Sequence, residues 1–360
     1  MKINIEGLRV GATLAKDVMG MTSSPIIPRG TVITLEHIEV LKAFFIREVE
    51  IESSSNGQKM QKGASEPKPE VNVTRTEQVK TQSIFPYLFS ESVKKYKADF
   101  QKWQSGTVID IANVRDYLYP LLEAAEEENI TLSSLYVNNQ EDYIYYHSIS
   151  VGVLSGLIAK RMGDNKGRYY QTALAGCLAN AGMAKISPKI ITKQMTLTDS
   201  EKAEIQEHPN YSLKMVQNSP LLKPETKLAI FQHHERLDGS GYPMGVKGKQ
   251  YYPMSRIVAA VDVFHALVSD RLYKKRLAPL KALEIMKIDE FGKYDLEVIN
   301  TLLPMIANLS IGTKVKISND SIGEVIFTKQ TAPIRPLIRL NDGEIIDLEK
   351  ERNLYIEEVY

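Results

Sequence analysis

The most constraining feature of the chain is the stretch 233–243, which reads His-His-Glu-Arg-Leu-Asp-Gly-Ser-Gly-Tyr-Pro. Adjacent imidazoles and nearby carboxylates are groups that bind transition metals. The glycines permit turn conformations and a close approach of the backbone to a ligand, and the proline stiffens the end of the turn. The stretch therefore places metal ligands directly before a glycine loop.

The composition excludes several other classes of protein. The 360 residues are 43% apolar, which suits two or three domains with ordinary cores. A formal charge of +1 gives no global basic field for nucleic acid or anionic lipid. The single cysteine, Cys177, excludes an internal disulfide framework. Because no signal peptide and no membrane-spanning apolar run is visible, we expect a cytoplasmic protein.

Changes in hydrophobic pattern divide the chain into five segments. Residues 1–52 alternate short strand-like runs with turns and predict a small mixed α/β domain. Residues 53–82 are polar and predict a flexible linker. Apolar residues at three- and four-residue spacing predict helices, first in a connecting region over 83–138 and then in a helical domain over 139–310. Residues 311–360 return to strands and turns, which indicates a small β domain.

Several polar side chains fall on the predicted helices, and they are His147, His208, His233, His234 and Asp262. His147 shares a helix face with apolar residues. Asp262 lies inside an apolar helix, where a carboxylate is costly unless it is paired or bound to a metal. His208 falls within a single helix predicted over Asp199–Gln217. Each residue alone is more typical of a core polar group, whereas the set together favours a metal site.

The helical region resembles the HD-GYP family, a branch of the HD phosphohydrolases that cleaves cyclic di-GMP. The matching stretches are EDYIYYHS at 141–148, LANAGMAKI at 178–186, EHPNYS at 207–212, HHERLDGSGYP at 233–243 and AAVDVFHALVSDRLYKK at 259–275. They follow the family's order over nearly half of the chain. The resemblance implies a mainly α fold, in which an HD-type helical bundle is flanked by a small N-terminal α/β domain and a small C-terminal β domain.

The resemblance also implies a set of metal ligands. Members of the family hold two or three metal ions. His147 matches the family's first histidine, His208 matches the histidine of its His-Pro pair, His233 and His234 match the paired histidines, and Asp262 matches the late aspartate. By this comparison the chain holds either one divalent metal ion (Fe, Mn or Zn) or none.

The signature His-Asp pair of the family is absent. Ala179 and Asn180 occupy its two positions, and Met183 stands where the family has a lysine. In the family, the aspartate bridges two metal ions whose shared water is the nucleophile, and carboxylate charge is what allows two cations to be neighbours. His265 replaces an acidic residue that is common in the family. We therefore assign no catalytic residue.

The retained ligands divide unevenly between two metal positions. His147 and Asp262 are too few to hold one ion. His208, His233 and His234 can hold one ion with an open position, as three-histidine zinc sites do. The alternative is that the histidines are core polar groups, bonded to one another and to water.

The ligand-facing part of the family motif is better retained, and its loop comprises Asp238, Gly239, Gly241, Tyr242 and Pro243. Arg271 and Lys274 stand where the family uses basic residues to contact the dinucleotide's phosphates and bases, which implies the same role here. The alternative is a solvated helix end, because 274–276 are consecutive basic residues.

These departures favour a catalytically inactive HD-GYP signalling protein that acts by binding. Its partner is either a protein, such as a diguanylate cyclase (GGDEF) domain that docks on the Gly-Tyr-Pro loop, or cyclic di-GMP itself. The alternative is a weak or altered one-metal phosphohydrolase acting on cyclic di-GMP. A purely structural domain is a third reading, and a homodimer through the helices near 83–130 is a further hypothesis.

Overall fold

The computed structural model of the protein describes residues 2–4, 8–9, 11–19, 25–34, 37–38, 41, 46, 48–51, 83–136, 140–193, 195–271, 275–289, 291–306, 309–330 and 332–360. These residues belong to two compact units, Met1–Gln78 and Val79–Tyr360. Most of the predicted linker, together with Lys274, lies outside the described residues. In the described part of the chain, no helix combines the length and hydrophobicity that a membrane crossing requires.

The N-terminal unit contains short antiparallel strand pairs, and its strands are β1 (Lys2–Asn4), β2 (Val18–Met19), β3 (Pro25–Ile27) and β4 (Glu48–Glu50). β1 pairs with β4, and β2 pairs with β3. The predicted turn is formed at Gly30, whose φ of +81° favours glycine and whose N–H donates to the Leu14 carbonyl at 2.9 Å. Leu14, Ile33 and Leu41 are fully buried, which gives this unit a small core of its own.

The second unit is mainly helical, and its α-helices are α1 (Phe85–Gln104), α2 (Ile111–Glu127), α3 (Tyr143–Arg161), α4 (Lys166–Ala179), α5 (Pro188–Ile191), α6 (Asp199–Gln206), α7 (His208–Val216), α8 (Pro224–Gln232), α9 (Pro253–Leu267), α10 (Pro279–Glu284) and α11 (Leu296–Ile306). Short 3-10 turns at Leu132–Leu135, Ala181–Lys185 and Gly248–Gln250 and a π turn at Ile285–Asp289 connect some of them. This arrangement confirms the predicted mainly α fold.

The local sequence explains where several helices begin. Asp110 caps α2, because its carboxylate accepts the N–H of Ala112 at 2.9 Å. The single helix predicted over Asp199–Gln217 is wrong, because the structure has two helices that meet at Glu207. The break follows from Pro209, which has no N–H and occupies the first turn of α7, where no N–H is needed. His208 thereby becomes the first residue of a new helix.

α3 and α4 lie unusually close together in the core. A Cβ at Gly152 would lie 2.8 Å from the Cβ of Cys177, and a Cβ at Gly176 would lie 2.7 Å from the Val151 carbonyl oxygen. Both glycines are therefore required for the close packing of these helices. This packing holds the end of α4, which carries Ala179 of the altered signature pair, firmly against α3.

The C-terminal strands form one antiparallel sheet in the order β8-β7-β6-β5-β9, with β5 (Lys314–Ile317), β6 (Ile322–Lys329), β7 (Ala332–Leu340), β8 (Ile345–Asp347) and β9 (Ile356–Val359). Arg335 on β7 is buried and forms an ion pair with Glu284 at the end of α10. The same guanidinium donates to the carbonyls of Leu348 and Leu354, at 2.7 and 2.8 Å. The sheet is thus attached to the helical part of its own unit.

Candidate functional site

The candidate site lies where helix ends meet the buried faces of α3 and α9. Its polar side chains are His147 on α3, Asn180 after α4, His208 at the start of α7, His233 and His234 after α8, and Asp262 and His265 on α9. Of these, only His234 is more than slightly exposed. Because so many polar side chains are buried together, each polar atom needs a hydrogen-bond partner or a bound ion. This requirement decides the chemistry of the site.

Three of the predicted ligands form one cluster. Each of His208, His233 and His234 offers a ring nitrogen that lies within 4.8 Å of those of the other two. The Nε2 atoms of His208 and His233 are 3.0 Å apart. The structure therefore brings together the three histidines that the sequence placed at one metal position.

Backbone carbonyls decide which nitrogens of this cluster carry hydrogen. Nδ1 of His208 donates to the Ile205 carbonyl at 2.7 Å, and Nδ1 of His233 donates to the Ile230 carbonyl at 2.7 Å. Burial lowers the pKa of His208 to about 3 and also lowers the pKa of His233 and of His234. All three imidazoles are therefore neutral near pH 7.

Two neutral imidazoles that donate from Nδ1 have only a lone pair at Nε2. The two Nε2 atoms of His208 and His233 nevertheless face each other at 3.0 Å. Facing lone pairs repel each other, and a cation bound to both nitrogens removes the repulsion. Bonds from the distant ring nitrogen to a carbonyl are also the usual support of metal-binding histidines. The donor set therefore fits a divalent metal ion.

The remaining predicted ligands, His147 and Asp262, are bonded to each other. His147 Nε2 lies 2.9 Å from Oδ1 of Asp262, and Asn180 Nδ2 donates to the same oxygen at 3.0 Å. Although burial raises the pKa of Asp262, the hydrogen bond and charge of His147 and the nearby His234 and His233 hold it well below the usual range. The carboxylate is ionised, and one of its oxygens is shared by two donors.

His265 contacts the other ring nitrogen of His147. Nε2 of His265 donates to the Leu135 carbonyl at 2.9 Å, and burial together with the charge of His147 lowers the pKa of His265 to about 3. His265 is thus neutral and accepts at Nδ1, which lies 3.0 Å from Nδ1 of His147. The Tyr143 hydroxyl also lies 3.1 Å from Nδ1 of His147. His147 is therefore bonded at both of its ring nitrogens.

The two residues that stand in place of the signature pair, Ala179 and Asn180, are buried in the core. Ala179 is fully buried, and its carbonyl accepts from the Ser212 hydroxyl at 2.6 Å. The N–H of Gly182 donates to the same hydroxyl oxygen at 2.7 Å. A Cβ at Gly182 would lie 2.1 Å from the His208 carbonyl oxygen, so this glycine allows the 3-10 turn to lie against α7. Met183 follows and offers no charge to a phosphate.

A cavity of about 590 Å³ opens beside this turn. Met183, Tyr143 and Arg271 contribute to its lining. The Arg271 guanidinium lies 6.0 Å from the centre of the Tyr143 ring, and that ring stacks on His147 with centroids 5.1 Å apart. Of the two predicted basic contacts, Arg271 thus lies at a cavity next to the histidines, and Lys274 lies outside the described residues.

The glycine loop folds back onto the paired histidines. Asp238 accepts the N–H of Ser240 at 2.9 Å, and Gly239 has a φ of +80°. The Tyr242 ring stacks on the ring of His234, with centroids 4.7 Å apart and planes 25° from parallel. The peptide bond between Tyr242 and Pro243 is cis. The loop and the histidine cluster therefore form one continuous surface.

Two residues of the site were not assigned a role from the sequence. His265 orients His147, and the signal that could have found it is a histidine three residues after Asp262 in the same apolar helix. Glu235 is fully buried and accepts the N–H groups of Met244 and Val246 at 2.7 and 3.1 Å. Its signal was its position directly after the paired histidines.

Comparison with known proteins places the helical unit among HD domains. The HD domain family matches residues 127–298. The cyclic di-GMP phosphodiesterase PA4108 of Pseudomonas aeruginosa is 26% identical over 67% of this chain and 58% of that protein. The cyclic di-GMP phosphodiesterase PdeB of Borreliella burgdorferi is 26% identical over 59% of this chain and 56% of that protein. The chain thus spans less than two thirds of these relatives.

Two other comparisons cover different shares of the chain. A cyclic di-GMP phosphodiesterase of Thermotoga maritima is 37% identical over 36% of this chain and 35% of that protein. The solved structure of Bd1817, an HDG"Y"P protein from Bdellovibrio bacteriovorus, is similar with a TM-score of 0.47 and 17% identity, and the match covers 85% of this chain and 98% of that chain.

Proposed function

The chain belongs to the HD-GYP family, and from this premise we propose that it binds cyclic di-GMP and holds one divalent metal ion without efficient hydrolysis. The observation that carries the proposal is the bonding of Asp262. Its Oδ1 is shared by His147 and Asn180, at 2.9 and 3.0 Å. Oδ1 of Asp262 is thus used by two protein donors, and the carboxylate that bridges two ions in the family is replaced by the Asn180 amide.

The metal ion is proposed to bind His208, His233 and His234. Three neutral imidazoles are a known ligand set for zinc with an open position, and imidazole also binds iron and manganese. When bound, the ion supplies Lewis acidity and lowers the pKa of a coordinated water. The chain's own contribution is to fix the tautomers of His208 and His233 through backbone carbonyls, so that their lone pairs are presented to the ion.

Cyclic di-GMP is proposed as the ligand because PA4108 and PdeB are named as cyclic di-GMP phosphodiesterases. Arg271 at the cavity can offer a planar donor fork to one phosphate. Met183 offers no charge in place of the family's lysine, so binding of a second anionic group is weakened. Docking of a diguanylate cyclase domain on the loop and a homodimer stay predictions.

A second candidate function is a weak one-metal phosphodiesterase. It is favoured by the facing lone pairs of His208 and His233, since a metal ion held there has an open position for water or a phosphate oxygen. It is disfavoured by the loss of three groups, at Ala179, Asn180 and Met183, that the family uses in catalysis.

One set of measurements separates these functions. Metal content is measured on protein purified without chelator, cyclic di-GMP binding by calorimetry, and product formation by chromatography. We expect close to one metal ion per chain, saturable binding and no turnover. Stoichiometric metal with product formation would establish the one-metal enzyme instead. Absence of both metal and binding would contradict the proposal and favour a protein-docking role.

A combined reversion provides the matched comparison. The triple variant Ala179→His, Asn180→Asp and Met183→Lys restores the missing ligand, the bridging carboxylate and the lysine. We expect it to bind a second metal ion and to gain measurable phosphodiesterase activity. A folded triple variant that takes up no additional metal would show that the pocket has changed beyond these three positions.

A further inference from the structure

The side chain of Glu235 holds the glycine loop in place through hydrogen bonds. It is fully buried, and its two carboxylate oxygens accept from two successive parts of the loop. Oε1 accepts the Met244 N–H at 2.7 Å, and Oε2 accepts the Val246 N–H at 3.1 Å. A buried carboxylate is tolerated only when it is hydrogen-bonded, and here both of its acceptor oxygens are used by one loop.

The loop that Glu235 holds is in contact with His234. The Tyr242 N–H donates to the His234 carbonyl at 3.1 Å, and the two rings stack. A Cβ at Gly241 would lie 2.4 Å from the His234 carbonyl oxygen and 2.5 Å from the Arg236 nitrogen. Glycine is therefore required at 241, and a small displacement of the loop changes its contacts with His234.

His234 differs from the other two histidines in how its ring is oriented. The rings of His208 and His233 are held by carbonyls one turn earlier in the chain. Among the described residues, the His234 ring accepts or donates no such bond, and it contacts the rings of His208, His233 and Tyr242. Of these contacts, only the Tyr242 ring belongs to the loop.

We propose that Glu235 is a positioning residue for the metal site, because it holds the loop that orients the third histidine. Glu235 does not touch the metal position itself. It fixes Met244 and Val246, the fixed loop presses Tyr242 against His234, and the stacked ring presents its nitrogen beside those of His208 and His233. The inference rests on the proposed metal binding by the three histidines. It adds Glu235 as a residue that acts on that site through His234.

The first test replaces Glu235 by glutamine, which keeps the volume but puts an NH2 group opposite a backbone N–H. Zinc affinity is measured by competition with a chelating dye, and cobalt binding by its visible spectrum. We expect Glu235→Gln to weaken zinc binding 10- to 100-fold, the usual effect of losing an outer partner of a metal ligand, and to change the cobalt spectrum. Glu225→Gln, on the first turn of α8, is the control and should change neither.

A double-variant cycle separates positioning from a general structural effect. If Glu235 acts through His234, then Glu235→Gln has no further effect on zinc affinity in a His234→Ala background. Gly241→Ala, which pushes the loop away, should reproduce the loss without touching the carboxylate. Losses that add in the double variant, or unchanged zinc affinity in Glu235→Gln, would overturn the proposal.

A readout without metal keeps this proposal distinct from the proposed function. In the apo protein, the stacked Tyr242 ring should shift the His234 ring protons in the NMR spectrum, and the shift should disappear in Glu235→Gln and persist in Glu225→Gln. If the wild-type protein takes up no zinc, the proposed metal site fails, and this shift alone decides whether Glu235 orients His234. Retention of the shift in Glu235→Gln would refute the positioning role.

Discussion

The two halves of the site differ in how their imidazoles are hydrogen-bonded. In one half, hydrogen bonds join His147, Asp262, Asn180 and His265 to one another and to the Leu135 carbonyl. In the other half, the Nε2 lone pairs of His208 and His233 face each other at 3.0 Å. We call the first the closed half, because its polar side chains are bonded to protein groups, and the second the open half, because its two facing lone pairs are not.

Under the proposed function, this difference separates a half that needs no metal ion from a half that binds one. Asn180 donates to Asp262 where an aspartate would supply a second carboxylate, and His265 contacts His147 at Nδ1. In the other half, backbone carbonyls accept the Nδ1 hydrogens of His208 and His233, and among the described residues no donor is bonded to both of their Nε2 atoms.

The largest expected effect on stability is in the closed half. His147→Ala removes one of the two donors to the buried Asp262 carboxylate, and leaving a buried charged group short of a hydrogen bond costs roughly 3 kcal/mol or more. Urea unfolding of the metal-free protein should show this loss. The metal content of the folded variant should be unchanged, since the three-histidine cluster is intact. A parallel loss of metal would show that the two halves are not independent.

The opposite result is expected from the open half. His233→Ala removes one of the two facing Nε2 atoms, so metal affinity should fall by more than the roughly 100-fold that loss of an outer partner can cost. The free energy of unfolding of the metal-free variant should fall far less than that of His147→Ala, since no buried charge is left unpaired. Dialysis against zinc followed by elemental analysis measures the first effect. Full metal retention would contradict the three-histidine assignment.

Asn180→Asp should convert the closed half into one that needs a cation. The substitution removes the amide donor and places a second carboxylate beside Asp262, so the metal-free variant should lose about 1–3 kcal/mol. Divalent metal should restore part of this loss. Asn180→Ala is the matched control, because it removes the donor without adding charge. Its stability loss relative to the wild type should therefore be the same with and without added manganese, as measured by unfolding of both proteins with and without chelator.

The contrast between the halves was only partly predictable from the sequence. The assignment of His208, His233 and His234 to one metal position follows from the resemblance to the HD-GYP family, and the structure brings these three together. The contact of His147 with His265 does not follow. It depends on the orientation of the His265 ring, which donates to the Leu135 carbonyl in a distant part of the chain. Local sequence contains no trace of such a contact.

A second difference concerns helix boundaries. The apolar periodicity continues through Asp199–Gln217 and predicts one helix, yet the chain forms two. Pro209 indicates the break between them, because proline is favoured in the first turn of a helix and disfavoured in its interior. The break matters for the site, because it puts His208 at a helix start, where its Nδ1 can reach the Ile205 carbonyl. Here the sequence was sufficient, and periodicity alone was the wrong guide.

The last expected effect is on the pH dependence of stability, and it comes from His265. Its pKa is lowered to about 3 in the folded chain, against about 6.5 in an unfolded chain. Below pH 6.5 the unfolded state therefore binds a proton that the folded state does not, so stability is present above this pH and falls as the pH is lowered towards 3. One such group contributes a slope of at most about 1.4 kcal/mol per pH unit.

His265→Gln tests this contribution, because the amide can donate to the Leu135 carbonyl and accept from His147 but does not titrate. We expect the variant to lose less stability than the wild type between pH 6.5 and pH 4.5, as measured by urea unfolding of metal-free protein at several pH values. Equal slopes would mean that His265 is not held neutral. In that case His147 would lack its acceptor, and the closed half would not be closed by the bonds assigned to it.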